Sequence, residues 1–268
     1  MVRRKDSSAQ EQPANGNSGG SAAGVATGSG RPPSGTSQVD LDVKVRKALE
    51  TLGELVESNV TAAVMSLIDR NVAMAIEVIE SHIEIEAQLM VVDTLCRRSL
   101  VAAHDDTGAR QAFAQICIRS EMARIADGAR DFAREVLFLT KKTSIASAAD
   151  FSRMFEWFER MMRDANRVAI ELDLTMAKSL LEMAPAVEAE CRAIVEAVLK
   201  LAAGESAEPD RELHLIMAVQ HLRTMAHSSG NIAQAVVYLK EGRSLKPEYD
   251  LPYTMEELAI LRRAATIE

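Results

Sequence analysis

Two aspartates set one helical turn apart, Asp127 and Asp131, are the residues best placed to do chemistry in this sequence. Side chains four positions apart share a helix face, so these carboxylates could converge on one hard or borderline cation. The same stretch carries Arg110, Arg119, Arg124, Arg130 and Arg134. Arg130 and Arg134 are also four apart and could offer charge to a partner's carboxylates or to phosphate. A solvated or locally paired role is the simpler reading, as Arg124 would have with Glu121. His82, beside Glu80 and Glu84, and the isolated His214 read as solvated or structurally satisfied histidines. Trp157 sits in an aromatic patch with Phe151, Phe155 and Phe158, which points to core or interface packing.

Recognisable catalytic patterns are missing. A di-metal carboxylate bundle needs Glu-x-x-His on two helices, and none of the five histidines has Glu three residues before it. There is no GxxxxGK[ST] phosphate loop. The net charge of -8 argues against a nucleic-acid binder, whose surface is normally basic. Cys96, Cys117 and Cys191 are far apart and lack CxxC spacing, as expected of reduced thiols in a cytoplasmic protein. The N-terminal Met-Val-Arg-Arg-Lys leads into Asp6 and Ser7 with no apolar stretch of a secretory signal, and no apolar run is long enough to span a membrane.

The elements that must position these residues are helices. Hydrophobic residues make up 47% of the chain and aromatics only 4%, a composition that favours helix over sheet. Residues 1–38 are mostly Ser, Gly, Ala, Pro, Asn and Gln and predict a disordered tail. From Asp40 the apolar rhythm of a helix face begins: Val45, Leu49, Leu52, Val56, Ala63 and Leu67. After Asp69-Arg70-Asn71 a second stripe follows in Ala73, Ile76, Ile79, Ile83, Met90 and Leu95. A turn at His104–Gly108 leads to a third helix carrying Phe113, Ile116, Met122, Ile125, Ala129, Phe132, Val136 and Leu137, ending near Lys141-Lys142. A link at Thr143–Ala149 introduces a second triplet. Its helices are marked by Phe155, Phe158, Met162 and Val168, then Met176, Leu180, Val187, Ile194 and Val198, then Leu215, Leu222, Met225, Ile232 and Val236. Pro185 should kink or break the fifth helix. A short helix at Met255–Ala264 follows Pro252.

Two triplets of similar length suggest an internal duplication. Asp69, Val72-Ala73, Ile76 and Ile83-Glu84 pair with Asp173, Met176-Ala177, Leu180 and Val187-Glu188 at a spacing of 104 residues. Met122–Ala133 pairs with Leu222–Ala233 at a spacing of 100, which implies a small deletion between them.

These third-helix segments carry a family resemblance. Met122-Ala-Arg-Ile-Ala-Asp-Gly-Ala-Arg-Asp-Phe-Ala-Arg134 and Leu222-Arg-Thr-Met-Ala-His-Ser-Ser-Gly-Asn-Ile-Ala-Gln234 are similar to the third helix of the PhoU repeat, Leu-Glu-Arg-Ile-Gly-Asp-His-Ala-x-Asn-Ile-Ala-Glu. The likeness covers residues 41–243. It implies an all-α fold of two tandem three-helix bundles, at 39–142 and 148–243, with an extension at 244–268. It implies a cytoplasmic, non-enzymatic accessory protein that dampens phosphate uptake and phosphate-starvation signalling. Its partners would be a phosphate ABC transporter ATPase, a phosphate-sensing histidine kinase and a second copy of itself. The alternative is a helical scaffold or signalling adaptor with no phosphate specificity.

The family's chemistry is a Glu/Asp-x-x-x-Asp pair on each third helix, which binds metal in some members. Here that pair is eroded. Ala123 and Arg223 stand where the family has Glu, and Asp127 and His227 where it has Asp. Glu84 and Glu188 match acidic positions on the second helix of each repeat. The resemblance therefore implies one degenerate site for a divalent or iron ion, from Asp127, Asp131 and Glu84, and a partial second site from His227 and Glu188. The competing reading makes all five polar residues of a solvated bundle face.

Overall fold

Six helices make up the described part of this computed structural model, residues 37–141, 152–204 and 208–242. They are α1 (Gln38–Ile68), α2 (Val72–Ala102), α3 (Asp106–Leu139), α4 (Ser152–Glu171), α5 (Leu174–Ala202) and α6 (Pro209–Glu241). No strand occurs among the described residues. The Thr143–Ala149 link, the helix expected at Met255–Ala264 and nearly all of the N-terminal tail lie outside them.

The helix starts follow the capping chemistry of the sequence. Ser37 accepts from the Asp40 N–H at 3.1 Å while Asp40 accepts from the Ser37 N–H, a reciprocal capping box. Asn71, Asp105 and Asp173 cap α2, α3 and α5 by accepting from Met74, Gly108 and Met176. Helix α6 starts on Pro209, whose missing N–H costs nothing in a first turn, and ends at Gly242 in the left-handed region. The expected break at Pro185 does not occur, and α5 runs unbroken through it. The proline is exposed, which lets water meet the carbonyl that loses its helical partner.

Buried positions show the duplication directly. Ala75, Val78, Ile85, Leu89, Val92 and Cys96 of α2 recur as Ala177, Leu180, Val187, Cys191, Ile194 and Val198 of α5, a spacing of 102 residues. The same spacing carries Val56 and Ala63 of α1 onto Phe158 and Ala165 of α4. It also relates the positive-φ residues Arg70 and Leu172, and the caps Asn71 and Asp173. Ile118, Met122, Ile125, Phe132 and Val136 of α3 recur in α6 as Ala218, Leu222, Met225, Ile232 and Val236, at the expected spacing of 100. The spacing of 104 expected for the second helices is therefore corrected to 102. Asp69 closes α1, and Asn71 is the counterpart of Asp173.

The same two-residue error inverted α2. Much of its expected core stripe faces outward, with Ile76, Ile83 and Met90 at 42%, 77% and 68% exposure, while Ile79 and Leu95 are half-buried against the core. Helix α2 carries apolar residues on two faces, so periodicity alone does not say which is buried.

The halves meet where α3 and α6 run antiparallel. Phe113 meets Tyr238 edge to face, and Phe138 stacks on His214 with centroids 4.3 Å apart. Between them, a Cβ at Gly128 would lie 2.5 Å from Met225 Cγ, so only glycine allows this approach. Helices α1 and α4 also touch, where Gly53 lies against Asn166, whose amide donates to Glu57 at 2.7 Å.

Candidate charged sites between the second and third helix of each half

In the first half, α2 and α3 bring His82, Glu86 and Asp127 together, with one donor atom from each within 4.8 Å of the others. His82 and Glu86 are one turn apart on α2, which places both toward α3. His82 Nε2 lies 3.3 Å from Glu86 Oε1 and 3.4 Å from Asp127 Oδ1. Glu84 is exposed and about 200° around the helix from His82 at 100° per residue. The acidic residue of α2 in this group is thus Glu86, and the corrected register makes Glu86 the counterpart of Glu188. Neither His82 nor Glu86 was singled out from sequence as a site residue. Their spacing of four was the available signal.

An arginine occupies the centre of this group. Arg130 Nη1 is 2.9 Å from Asp127 Oδ1 and 2.8 Å from His82 Nε2, and Nε is 3.1 Å from Asp131 Oδ1. Arg134 Nη1 reaches the same Asp131 oxygen at 2.8 Å. Asp131 is thus turned into an arginine pair and is outside the His82 cluster. Arginine donates and never accepts, so its contact with His82 uses the lone pair of Nε2. That leaves the ring proton on Nδ1, which is buried without a hydrogen-bond partner.

In the second half, Glu188 of α5 is gripped at both oxygens by Arg223 of α6. Arg223 Nε donates to Oε2 at 2.7 Å and Nη2 to Oε1 at 2.6 Å, the fork geometry guanidinium offers a carboxylate. Arg192 lies at 3.9 Å and His227 Nε2 at 3.6 Å from the same carboxylate. Glu188 and His227 are therefore neighbours, as the sequence suggested, but the cation between the helices is the protein's own.

These arrangements do not fit a metal ion. In the first half the Nε2 lone pair and the Asp127 oxygen face Arg130, and in the second both Glu188 oxygens face Arg223. A divalent ion about 4 Å from a guanidinium would meet repulsion of roughly 8 kcal/mol at an effective dielectric of 20.

Two further histidines join α6 to α3, and the cysteines are buried or half-buried. His214 Nδ1 lies 2.6 Å from Glu135 Oε2, and His221 Nε2 lies 3.8 Å from the other oxygen, which ties α6 to α3. His214 is therefore paired and not isolated. Trp157 is half-buried against the core, as expected. Burial pushes the Cys96 thiol up to about 12, with Asp93 adding to the rise and Arg119 opposing it. Burial likewise raises Cys191 to about 11, with Glu188 contributing next, and raises Cys117.

The class defined by these features is an all-α protein of two tandem three-helix bundles with cross-helix charge clusters. Comparison with known proteins places it more closely. Residues 151–236 match the family described as the PhoU domain. The chain is 23% identical over 199 residues to a phosphate-specific transport system accessory protein PhoU homolog of Aquifex aeolicus, covering 74% of this chain and 90% of that one. A Pseudomonas aeruginosa protein of the same description is 24% identical, covering 75% and 84%. Two crystal structures share the fold. PhoU from Pseudomonas aeruginosa has a TM-score of 0.71 at 24% identity, covering 75% of this chain and 97% of its own. The phosphate transport system regulatory protein PhoU from Streptococcus pneumoniae has a TM-score of 0.71 at 19% identity, covering 78% and 98%. The chain is thus similar in sequence to PhoU proteins and shares their fold.

Proposed function

We propose that this protein is a cytoplasmic accessory regulator of phosphate transport that dampens uptake and starvation signalling by docking, without reaction chemistry. The names of its relatives support the phosphate role, and no described helix is long and apolar enough to cross a membrane. The observation that carries the docking mode is the outer face of α2. Ile76, Ile83 and Met90 recur every seven residues on it, and the acidic Glu77, Glu80 and Glu84 flank them, all exposed. A heptad apolar row with a charged border is the pattern by which one helix receives another. It suits a partner helix with an apolar stripe edged by Lys or Arg. The partners proposed are the transporter's ATPase and a phosphate-sensing histidine kinase, with a homodimer as the assembled form.

Affinity capture from cells grown with ample phosphate tests this. Recovery of the transporter ATPase or the kinase, lost with Ile83→Glu, is expected. Recovery of neither, together with unchanged starvation-gene expression in a deletion strain, would overturn the role. It would favour a scaffold without phosphate specificity.

A further inference from the structure

We infer that both charge clusters are closed by arginine in place of a metal ion, so the protein is metal-independent and Arg130 and Arg223 are its resident cations. The two arginines come from non-equivalent positions. Arg130 lies one turn after Asp127, whereas Arg223 lies one turn before His227, the counterpart of Asp127. Both nonetheless reach a polar group presented by the preceding helix of their own half: His82 on α2 and Glu188 on α5. Two different substitutions with one electrostatic outcome point to a need for positive charge between these helices, met from within the chain. In the first half Arg130 pairs with Asp127 and, together with Arg134, with Asp131, and takes the lone pair of His82. In the second, Arg223 occupies both oxygens of Glu188, with His227 beside the same carboxylate. Guanidinium cannot be chelated away and does not exchange, so these joints stay closed whatever the metal supply.

The inference is specific about what removal of the arginine does. Without Arg130, His82 Nε2, Glu86 and Asp127 present one nitrogen and two carboxylates within 4.8 Å of one another, a donor set suited to zinc with water in the fourth position. The test is metal content by mass spectrometry after zinc loading and exhaustive dialysis, on the full chain. Wild type should retain only trace zinc, Arg130→Ala about one equivalent, and Arg130→Ala with Asp127→Asn trace amounts again. Wild-type protein that keeps stoichiometric zinc, iron or manganese lost on Asp127→Asn would overturn the inference. So would Arg130→Ala protein that holds no more zinc than wild type. A second measurement does not depend on the variant folding: the wild-type melting temperature should be unmoved by chelator or by added zinc. A rise with zinc or a fall with chelator would also overturn it.

Discussion

Cysteine accessibility gives a direct check on the core at the scale of single residues. Cys96 and Cys191 are buried, whereas Cys117 is half-buried. A thiol reacts as its thiolate, and burial holds all three in the neutral form. Labelling with an aromatic disulfide at neutral pH should therefore reach Cys117 first. Cys96 and Cys191 should wait for unfolding, and fast labelling of either would contradict the packing of α2 or α5. The sign of the pH effect follows from the same burial. The unfolded Cys96 thiol ionises near its ordinary value of 9.0, while the folded one keeps its proton to about 12. Stability from this group is complete below pH 9 and is lost as pH rises toward 12. Alkaline unfolding should accordingly be less steep with pH in Cys96→Ala than in wild type. Among charged residues, Glu84→Gln should leave the melting temperature unchanged, since that side chain is exposed and absent from the cluster.

At the scale of elements, the six helices were legible from their apolar periodicity, but of the N-terminal caps only the Asp-rich turn before α3 was. The tail expected at 1–38 takes in Ser37 and Gln38, which cap and open α1, and Asp173, expected to end the fourth helix, caps α5. The orientation of α2 was not legible. Its apolar residues form two stripes, and the one containing Ile83 pairs with the second half as plausibly on paper as the one containing Ile85. Only the packing of Ile85 and Leu89 against the core decides between them. That slip moved Glu84 into the candidate site and left Glu86 and His82 out. Arg130 was visible as a cation beside Asp127 and Asp131, but His82 lies 48 positions away in sequence and needed the fold to reach it. Pro185 supplies a prediction at this scale. It removes one hydrogen bond from the middle of an exposed helix surface, so Pro185→Ala should stabilise the protein by about 2 kcal/mol. Chemical denaturation would show it, and a loss of stability would mean that the proline ring itself is needed at this position.

At the scale of the whole molecule, the described structure joins its two halves through α3 and α6 rather than through the chain link alone. Fully buried Met225 lies against Gly128, Phe113 meets Tyr238, and Glu135 ties to both His214 and His221 across the joint. Separating the halves would expose that apolar surface to water, at about 25 cal/mol for each Å². Gly128 sets how close the two helices come. A valine there would drive its Cβ into Met225, so Gly128→Val should cost about 2 kcal/mol, more than the helix propensity it gains. For a protein of this size that shift lowers the melting temperature by roughly 4–8 °C. Because the joint is part of one core, calorimetry of wild type should show a single transition, and the variant should shift that transition as a whole. Two resolved transitions in wild type, with only one moved by Gly128→Val, would mean that each bundle stands alone. The α3–α6 contact would then be an association between finished parts.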